Sequence, residues 1–438
     1  MFFARPTPQR PVTREPSTAT SSDTTTDILA TATSAPTPGS TILSVNADAR
    51  KSRRLKANPR MAEADVHAFL EKLYERDLHA RRVLSLSHVV LGVLHAGSLA
   101  IHAIGQGMAQ ARGLDPKHAV KQVDRLLSNR EIDVWRLFYQ WVPFVVGERT
   151  EFVATLDWTE HDHDDQSTIA LNMVTSHGRA TPLLWKTVKK SELKDRRNEH
   201  EDSLLERLRQ IVPTSVRITI LADRGFGDQK LYEYCKTLGL DYIIRFREGI
   251  LVTDQRGDSK PAADWVPSNG HAKHLSNARV TADMAPVPAV VCIKAAGMKE
   301  AWCLATSRED LRGAEVVKLY GKRFTTEENF RDTKDIKFGL GLSATHIGTP
   351  HRRDRLLLIC AMAQALLTLL GAAAERVGLD RRLKVNTAKK RTHSLFRQGL
   401  YWYGAIPMMP DEWLQPLITA FADIVLEHAI CRTIFGPI

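Results

Sequence analysis

The chain has 438 residues, of which 43% are hydrophobic and 25% charged, a composition that excludes a wholly disordered protein and leaves room for about three domains. Sixty-one Lys and Arg against 50 Asp and Glu give a net charge of +11, which favours a polyanionic partner. The five cysteines form no CxxC pair, which argues against a disulfide framework or a cysteine zinc site and is typical of a reducing cytosol.

The N-terminal segment, residues 1–60, is predicted to be a disordered leader. Its first 50 residues contain eleven Thr, six Ser and six Pro, and they offer too little apolar surface to offset the entropy cost of ordering. A basic run at 51–56 precedes Met61, where helical periodicity begins, so Met61 is a second candidate for the start of translation. Residues 61–149 keep helical spacing throughout and are predicted to form a helical domain.

The pattern changes to strands at Glu151. Three β-rich runs are followed by a helix, a strand, a second helix and a further strand, which is the order of a ribonuclease-H-like fold with a mixed sheet flanked by helices. Turn-forming residues dominate about 249–300, which we predict to be an inserted β subdomain. The core, 150–345, then closes with a strand at AWCLATS and one long helix over about 310–335. The expected fold class is α/β.

Residues 346–438 are predicted to form a helical C-terminal region. Within it, 356–374 is a run of nineteen residues without a charge, long enough to be mistaken for a membrane span. The run contains Gln364 and Thr368, is rich in Ala and is flanked by charges on both sides. These features favour a helix buried in a soluble core, and no membrane partner is expected.

Two aspartates follow predicted strands. Asp157 stands at the end of FVATLDWT, and Asp223 at the end of ITILADRG. In a ribonuclease-H-like sheet the first and fourth strands are neighbours, so both carboxylates would converge on one point, where their hard oxygens can hold Mg²⁺. Taken singly, each aspartate could instead be an ordinary turn-former at the end of a strand.

A third carboxylate stands on the last helix of the core. Tyr320, Arg323, Glu327 and Lys334 are spaced by three, four and seven residues, and at 100° per residue they fall within an arc of about 60°. One helical face would therefore present a carboxylate between two cations and a phenol. The alternative is a solvated face stabilised by i,i+4 ion pairs.

This Y-x2-R-x3-E-x6-K pattern resembles the signature of bacterial insertion-sequence DDE transposases, family four. LADRGFGD is similar to the second-aspartate motif of that family, SHGRATPLLW to its early hairpin, and AWCLATS to the strand that closes its β insertion. The resemblance covers roughly residues 62–430. It implies an enzyme that cleaves the ends of a mobile element and joins the freed 3′-hydroxyl to target DNA.

The resemblance also implies roles for individual residues. Asp157, Asp223 and Glu327, here called the carboxylate triad, would be the catalytic metal ligands for Mg²⁺, with Mn²⁺ as a substitute. Tyr320, Arg323 and Lys334 would bind the phosphates that flank the scissile bond. Trp302 occupies the position of an aromatic that stacks near an extruded base, although a strand Trp is equally typical of a core.

The expected partner is double-stranded DNA, both the terminal inverted repeats of the element and the target. The resemblance further implies that residues 61–149 bind DNA and that a homodimer assembles on paired ends and acts in trans. It also implies that cleavage passes through a hairpin intermediate. The expected location is the bacterial cytoplasm, at the nucleoid. A cationic tract with seven Lys or Arg between Arg381 and Arg397, followed by Tyr401, suits DNA as well, unless it is a solvated loop.

Two other functions remain open from the sequence. A domesticated nuclease of the same fold would cut without strand transfer, and a transposition repressor would bind DNA without cutting. The complete triad argues against the repressor. The run at 160–165, EHDHDD, looks like a metal site, but a polar turn between strands is its more usual meaning.

Overall fold

The computed structural model describes residues 63–426. The predicted leader at 1–60, the candidate start at Met61 and Cys431 lie outside the described residues. The other four cysteines are buried free thiols.

The described chain opens with helices packed on one another. Each has buried apolar residues, such as Val66 and Leu70 on the first helix. Their bounds are Glu63–Tyr74 (α1), Ala80–Ala96 (α2), Ile101–Arg112 (α3), Pro116–Ser128 (α4) and Val134–Val146 (α5).

Ten strands form one mixed sheet. Their bounds are Glu151–His161 (β1), Gln166–Met173 (β2), Thr181–Lys189 (β3), Arg217–Ala222 (β4), Asp241–Phe246 (β5), Leu251–Thr253 (β6), Ser259–Pro261 (β7), Lys273–Val280 (β8), Ala285–Ile293 (β9) and Trp302–Thr306 (β10). The spatial order is β3-β2-β1-β4-β5-β10-β9-β8-β6-β7. Helices Arg197–Ile211 (α6) and Gln229–Thr237 (α7) connect β3 to β4 and β4 to β5.

The predicted fold class is confirmed. β1 pairs with β2 antiparallel and with β4 parallel, so the first and fourth strands of the core are neighbours, as the element order requires. All eight residues of β2 are buried because the sheet is covered on both faces.

The β insertion continues the main sheet. β10 pairs with β5 on one side and with β9 on the other, and β9, β8, β6 and β7 extend the sheet to its far edge. Turn-rich spacing in the sequence predicted the strands, but their pairing partner in the core could not be read from local pattern.

The single long helix expected over about 310–335 is wrong. Two helices stand in its place, Gly313–Gly321 (α8) and Phe324–Lys334 (α9). Between them Lys322 and Arg323 keep helical dihedrals, but Arg323 N–H bonds the Tyr320 carbonyl, and Thr326 N–H bonds the Arg323 carbonyl, both three residues back. This tight i→i−3 turn interrupts the regular helix, so the signature residues are divided between two axes.

The uncharged run lies in the 27-residue helix Pro350–Arg376 (α10), which packs against Leu395–Ala405 (α11) and Asp411–Leu426 (α12). Among the described residues, α10 is the one helix that is long and apolar enough to cross a membrane by itself. α2 and α3 pass the same test only if they are counted as one span, and the bend between them is 99°. Of the most apolar window of α10, 89% is buried inside the protein. Its apolar surface is therefore satisfied by the core.

We expect Gly399→Ala to destabilise the protein by about 3 kcal/mol, because α10 and α11 cross with backbones in contact. A Cβ at Gly399 would overlap the Leu367 carbonyl, and one at Gly371 would overlap that of Leu395. Gly404→Ala, on the same helix but with open space around its Cβ, is the matched control and should change stability by less than about 1 kcal/mol, in the stabilising direction. Urea denaturation of both variants tests this, and similar costs at the two positions would contradict the close crossing.

Candidate active site

Two carboxylates lie at the edge of the sheet where the pairing of β1 with β4 ends. The last parallel pair of these strands is Leu156 with Ala222, so Asp157 and Asp223 are the next residue on each strand. Asp157 continues along β1, whereas Asp223 turns out of the sheet and accepts a hydrogen bond of 2.8 Å from the Gly225 N–H. The register of two parallel strands thus places both side chains at one edge.

Arg323 joins the third carboxylate to the first. One terminal nitrogen of its guanidinium lies 3.3 Å from Asp157 Oδ2, and the other lies 2.8 Å from Glu327 Oε1. Arg323 is 11% exposed and Asp157 18%, whereas Glu327 is 52% exposed. The guanidinium therefore bridges a half-buried and an exposed carboxylate across the gap between β1 and α9.

The electrostatics of the site are those of crowded negative charge. Burial raises the pKa of Asp157 to about 6, the Arg323 guanidinium opposes that rise, and the charges of Asp223 and Glu327 add to it. Burial would lower the pKa of Arg323, but Tyr320 and the three carboxylates raise it above its ordinary value. All three members of the triad thus act on one cation, and Arg323 Nε is buried without a hydrogen-bond partner among the described residues.

Glu327 is positioned by its neighbours on α9. Thr326, fully buried, shares a hydrogen bond of 2.5 Å with Thr155 on β1, two residues before Asp157. Six residues further, Asp332 is 3% exposed and accepts a 2.7 Å bond from Arg179, in the hairpin between β2 and β3. Helix α9, which carries Glu327, is therefore held near its start by Thr155 and near its end by Arg179.

We expect Arg179→Ala to destabilise the fold by about 2 kcal/mol, because it leaves the buried Asp332 carboxylate without its cation. The matched control is Arg331→Ala, which removes an exposed pair with Glu328 at 3.4 Å and should cost less than about 0.5 kcal/mol. Urea unfolding of the two variants provides the comparison. Equal costs would mean that the Arg179 contact does not hold α9.

An aromatic cluster covers the junction of α8 and α9. Trp302, at the start of β10, meets Tyr320 edge-on with ring centroids 5.0 Å apart and lies 6.1 Å from Phe324. Tyr320 is buried, and burial raises its pKa to about 12, whereas Trp302 is half-buried and Phe324 is 45% exposed. Trp302 is thus partly core and partly surface, and Phe324 adds an exposed ring that the sequence did not single out.

Lys334 lies apart from Glu327. Its ammonium donates a 3.1 Å hydrogen bond to the Glu160 carbonyl, and burial lowers its pKa. Lys334 therefore approaches the site from the β1 side, where Asp157 is among the charges that act on it. The turn between α8 and α9 divides the four signature residues between two helices, with Tyr320 on α8 and both Glu327 and Lys334 on α9, where their spacing of seven keeps them on one face. Tyr320 packs against Trp302 and lies beside Arg323, Arg323 pairs with Glu327, and Lys334 bonds the Glu160 carbonyl.

The run at 160–165 forms ion pairs. Lys190 contacts Glu160 and Asp162, and the buried Arg353 contacts Asp164. These contacts favour the polar-turn interpretation of the run. Within the cationic tract, several side chains are also engaged inside the protein: Lys384 pairs with Asp380, Arg391 with Glu375, and Arg382 stacks on Trp413.

The residues present suit a divalent cation by chemistry, since three carboxylates supply only hard oxygen ligands. In this conformation, however, residues 63–426 contain no group of three Asp, Glu, His or Cys side chains close enough to hold an ion. The Arg323 guanidinium provides the positive charge between Asp157 and Glu327 instead. Asp157, Asp223 and Glu327 are the side chains that would hold such an ion, and Glu327 is the most exposed member of the Arg323 bridge.

Residues 174–366 match the family described as the transposase DDE domain. This segment, somewhat less than half of the chain, is similar to DDE transposases, a family of nucleic-acid-cleaving enzymes. It includes Asp223 and Glu327 but begins after Asp157. A search of curated proteins finds no match.

Sequence reasoning missed three residues of this site. Thr326 and Arg179 position the helix of Glu327, and Phe324 lies beside Trp302. No sequence signal marked Thr326, because its burial is a property of the fold. Arg179 stands in SHGRATPLLW, which resembles the early hairpin of the family, but its contact was not predicted because its partner is more than 150 residues away.

Proposed function

We propose that this chain is a DNA transposase of the insertion-sequence family-four type, which cleaves the ends of its element and joins the 3′-hydroxyl to target DNA. One observation carries the proposal: Asp157, Asp223 and Glu327, from three separate elements, all act on one guanidinium at the edge where β1 and β4 part. A structural ion pair needs one carboxylate. Three carboxylates around a single cation at an open edge of the sheet form a site that attracts positive charge.

In this proposal Asp157, Asp223 and Glu327 hold Mg²⁺, or Mn²⁺ in its place. When bound, the metal supplies an activated water or hydroxyl nucleophile and neutralises charge on the phosphate being attacked. The chain's own part is to bring the oxygens together, and Thr155 and Thr326 do so by fastening α9 to β1.

Arg323 would serve the phosphate in the same proposal. Its guanidinium is half-buried and carries an Nε–H without a hydrogen-bond partner among residues 63–426, so it can offer donors to phosphoryl oxygens. Lys334 adds a point charge from the β1 side, and Tyr320 contributes its phenol. Trp302 would stack on an extruded base, with its ring half open to solvent beside Phe324.

The remaining expectations are part of the proposal. Residues 1–60 would be a leader, 61–149 a DNA-binding domain, 150–345 the catalytic core, and 346–438 a helical region that contributes to end binding. The protein would act as a homodimer on double-stranded terminal inverted repeats and target DNA, through a hairpin intermediate, in the bacterial cytoplasm at the nucleoid. Inverted repeats in the DNA on either side of its gene would supply the test substrate.

The experiment that tests the function incubates the protein with Mg²⁺, a labelled duplex carrying those repeats, and unlabelled plasmid. We expect cleavage at the repeat end and transfer of label to the plasmid. Cleavage without transfer would favour a domesticated nuclease, and binding without cleavage would favour a repressor. The Asp223→Asn protein, incubated in the same way, is the control for a contaminating nuclease.

A further inference from the structure

The exposed face of α4 is a line of cations. Lys117, Lys121 and Arg125 are spaced by four residues, so their side chains lie on one face along two turns of the helix. All three are exposed, and none has an acidic partner among residues 63–426. Like charges four residues apart weaken a helix, so this row opposes the fold that carries it.

The acids of this helix are engaged elsewhere. Asp115 precedes the first turn and accepts a 3.0 Å hydrogen bond from the His118 N–H, which caps the helix. Asp124 accepts a 2.6 Å bond from Arg352. The row of cations is therefore left without compensation, which is the charge pattern that a polyanion neutralises.

α4 packs against the preceding helix, α3. A three-residue turn, 113–115, joins them, with Gly113 in the left-handed conformation that closes α3. The helices touch at Gly105, where a Cβ would overlap Val120. Ala119 and Val123 are buried beneath, so the opposite face of α4 is presented outward by a rigid support. Two packed helices joined by a three-residue turn that contains Gly have the connectivity of a helix-turn-helix unit.

α4 is also fastened to α10 of the C-terminal region. Arg355, buried at the start of α10, donates to the Leu127 carbonyl at 3.1 Å and to the Ile132 carbonyl at 2.9 Å, which satisfies the C-terminal end of α4. Arg352 adds its pair with Asp124. Beyond this end runs a groove of about 910 Å³ whose lining includes Arg130, Lys186, Arg352 and Arg355 and two acids, Asp133 and Asp354. Cations therefore outnumber acids in the groove that adjoins α4.

We propose that α4 is the DNA-reading helix of this protein. It lies in the major groove of duplex DNA, with Lys117, Lys121 and Arg125 on phosphates and Gln122 on a base edge. The DNA backbone continues from α4 along the groove beyond the C-terminal end of this helix. This inference rests on the proposed function for the identity of the duplex, and it adds which helix recognises it. By comparison, α3 exposes His102, Gln106 and Gln110, which offer no such row of cations.

The test measures binding without catalysis. Short duplexes are selected from a random-sequence pool by the full chain in EDTA, and affinity for the selected duplex is then measured by fluorescence anisotropy over a range of salt. We expect the double variant Lys121→Ala/Arg125→Ala to bind about tenfold or more weaker, with a slope of log affinity against log salt that is flatter by about 1.8, or 0.9 for each lost phosphate contact. Gln122→Ala should reduce the preference for the selected over a scrambled duplex by about fivefold or more and leave the slope unchanged.

Arg256→Ala is the matched control, since Arg256 is an exposed cation in the turn between β6 and β7 at the far edge of the sheet. It should retain the affinity and slope of the unaltered protein. The double variant should melt at the same temperature or higher, because it loses like-charge repulsion on α4.

Wild-type affinity and slope in the double variant would overturn the inference, as would failure of the full chain to bind or enrich any duplex in the pool. Because no metal is present, the result is independent of the active site. Duplex binding through α4 by a protein that cleaves nothing with Mg²⁺ would support this inference and contradict the proposed function.

Discussion

Replacing any member of the carboxylate triad by its amide is expected to lower Mg²⁺-dependent cleavage about a thousandfold or more while leaving DNA binding within about twofold. Asp157→Asn, Asp223→Asn and Glu327→Gln each keep the shape of the side chain and remove the charge that a divalent cation needs. DNA affinity is spared because it depends on many phosphate contacts of a chain with net charge +11.

The matched control for this series is Glu328→Gln, the carboxylate next to Glu327, which faces Arg179 and Arg331 instead of the site. It should retain cleavage. Urea unfolding should place all four variants within about 1 kcal/mol of the unaltered protein, since these side chains are at least partly exposed. Cleavage that survives in Asp157→Asn would remove Asp157 from the triad, which matters because the family match begins beyond it.

The second large effect is expected at Arg323. Arg323→Ala should slow single-turnover cleavage by about a hundredfold or more, because it removes donors from the position where negative charge accumulates on the phosphate. Arg323→Lys should also be impaired, since an ammonium cannot reproduce the two-pronged contact now made with Asp157 and Glu327. Lys334→Ala should act in the same direction with unchanged end binding.

The measurement compares single-turnover cleavage with end affinity for each variant at one salt concentration. Equal losses in both would make these side chains ordinary binding contacts. A second readout needs no metal: removal of the Arg323 charge should raise the pKa of Asp157 above its value of about 6, since the guanidinium now opposes that rise. An unchanged titration of Asp157, followed by carbon NMR of labelled carboxylates, would show that the bridge does not form in solution.

Local pattern sufficed for the elements that depend on nearest neighbours along the chain. The β-rich runs around Asp157 and before Asp223 predicted strands β1 and β4, although β1 continues past Asp157 to His161. The element order placed the two strands side by side, because a ribonuclease-H-like connection leaves few alternatives. The i,i+4 spacing of Arg323 and Glu327 permits an ion pair, which was the alternative for this helical face, and a contact of 2.8 Å forms. These outcomes follow from periodicity and from the reach of one helical turn.

Only the tertiary structure decided how the candidate site is held. The break between α8 and α9 separates Tyr320 from Glu327, although the residues there are compatible with an unbroken helix. Arg323 reaches across to Asp157, and Arg179 reaches Asp332, over separations of more than 150 residues. The same holds for β10, which links the insertion to β5, and for Arg355, which ties α4 to α10. An amphipathic pattern specifies which face of a helix or strand is buried, but it does not specify the element that covers this face. Many apolar surfaces could cover it, and only the packing of all elements together determines which one does.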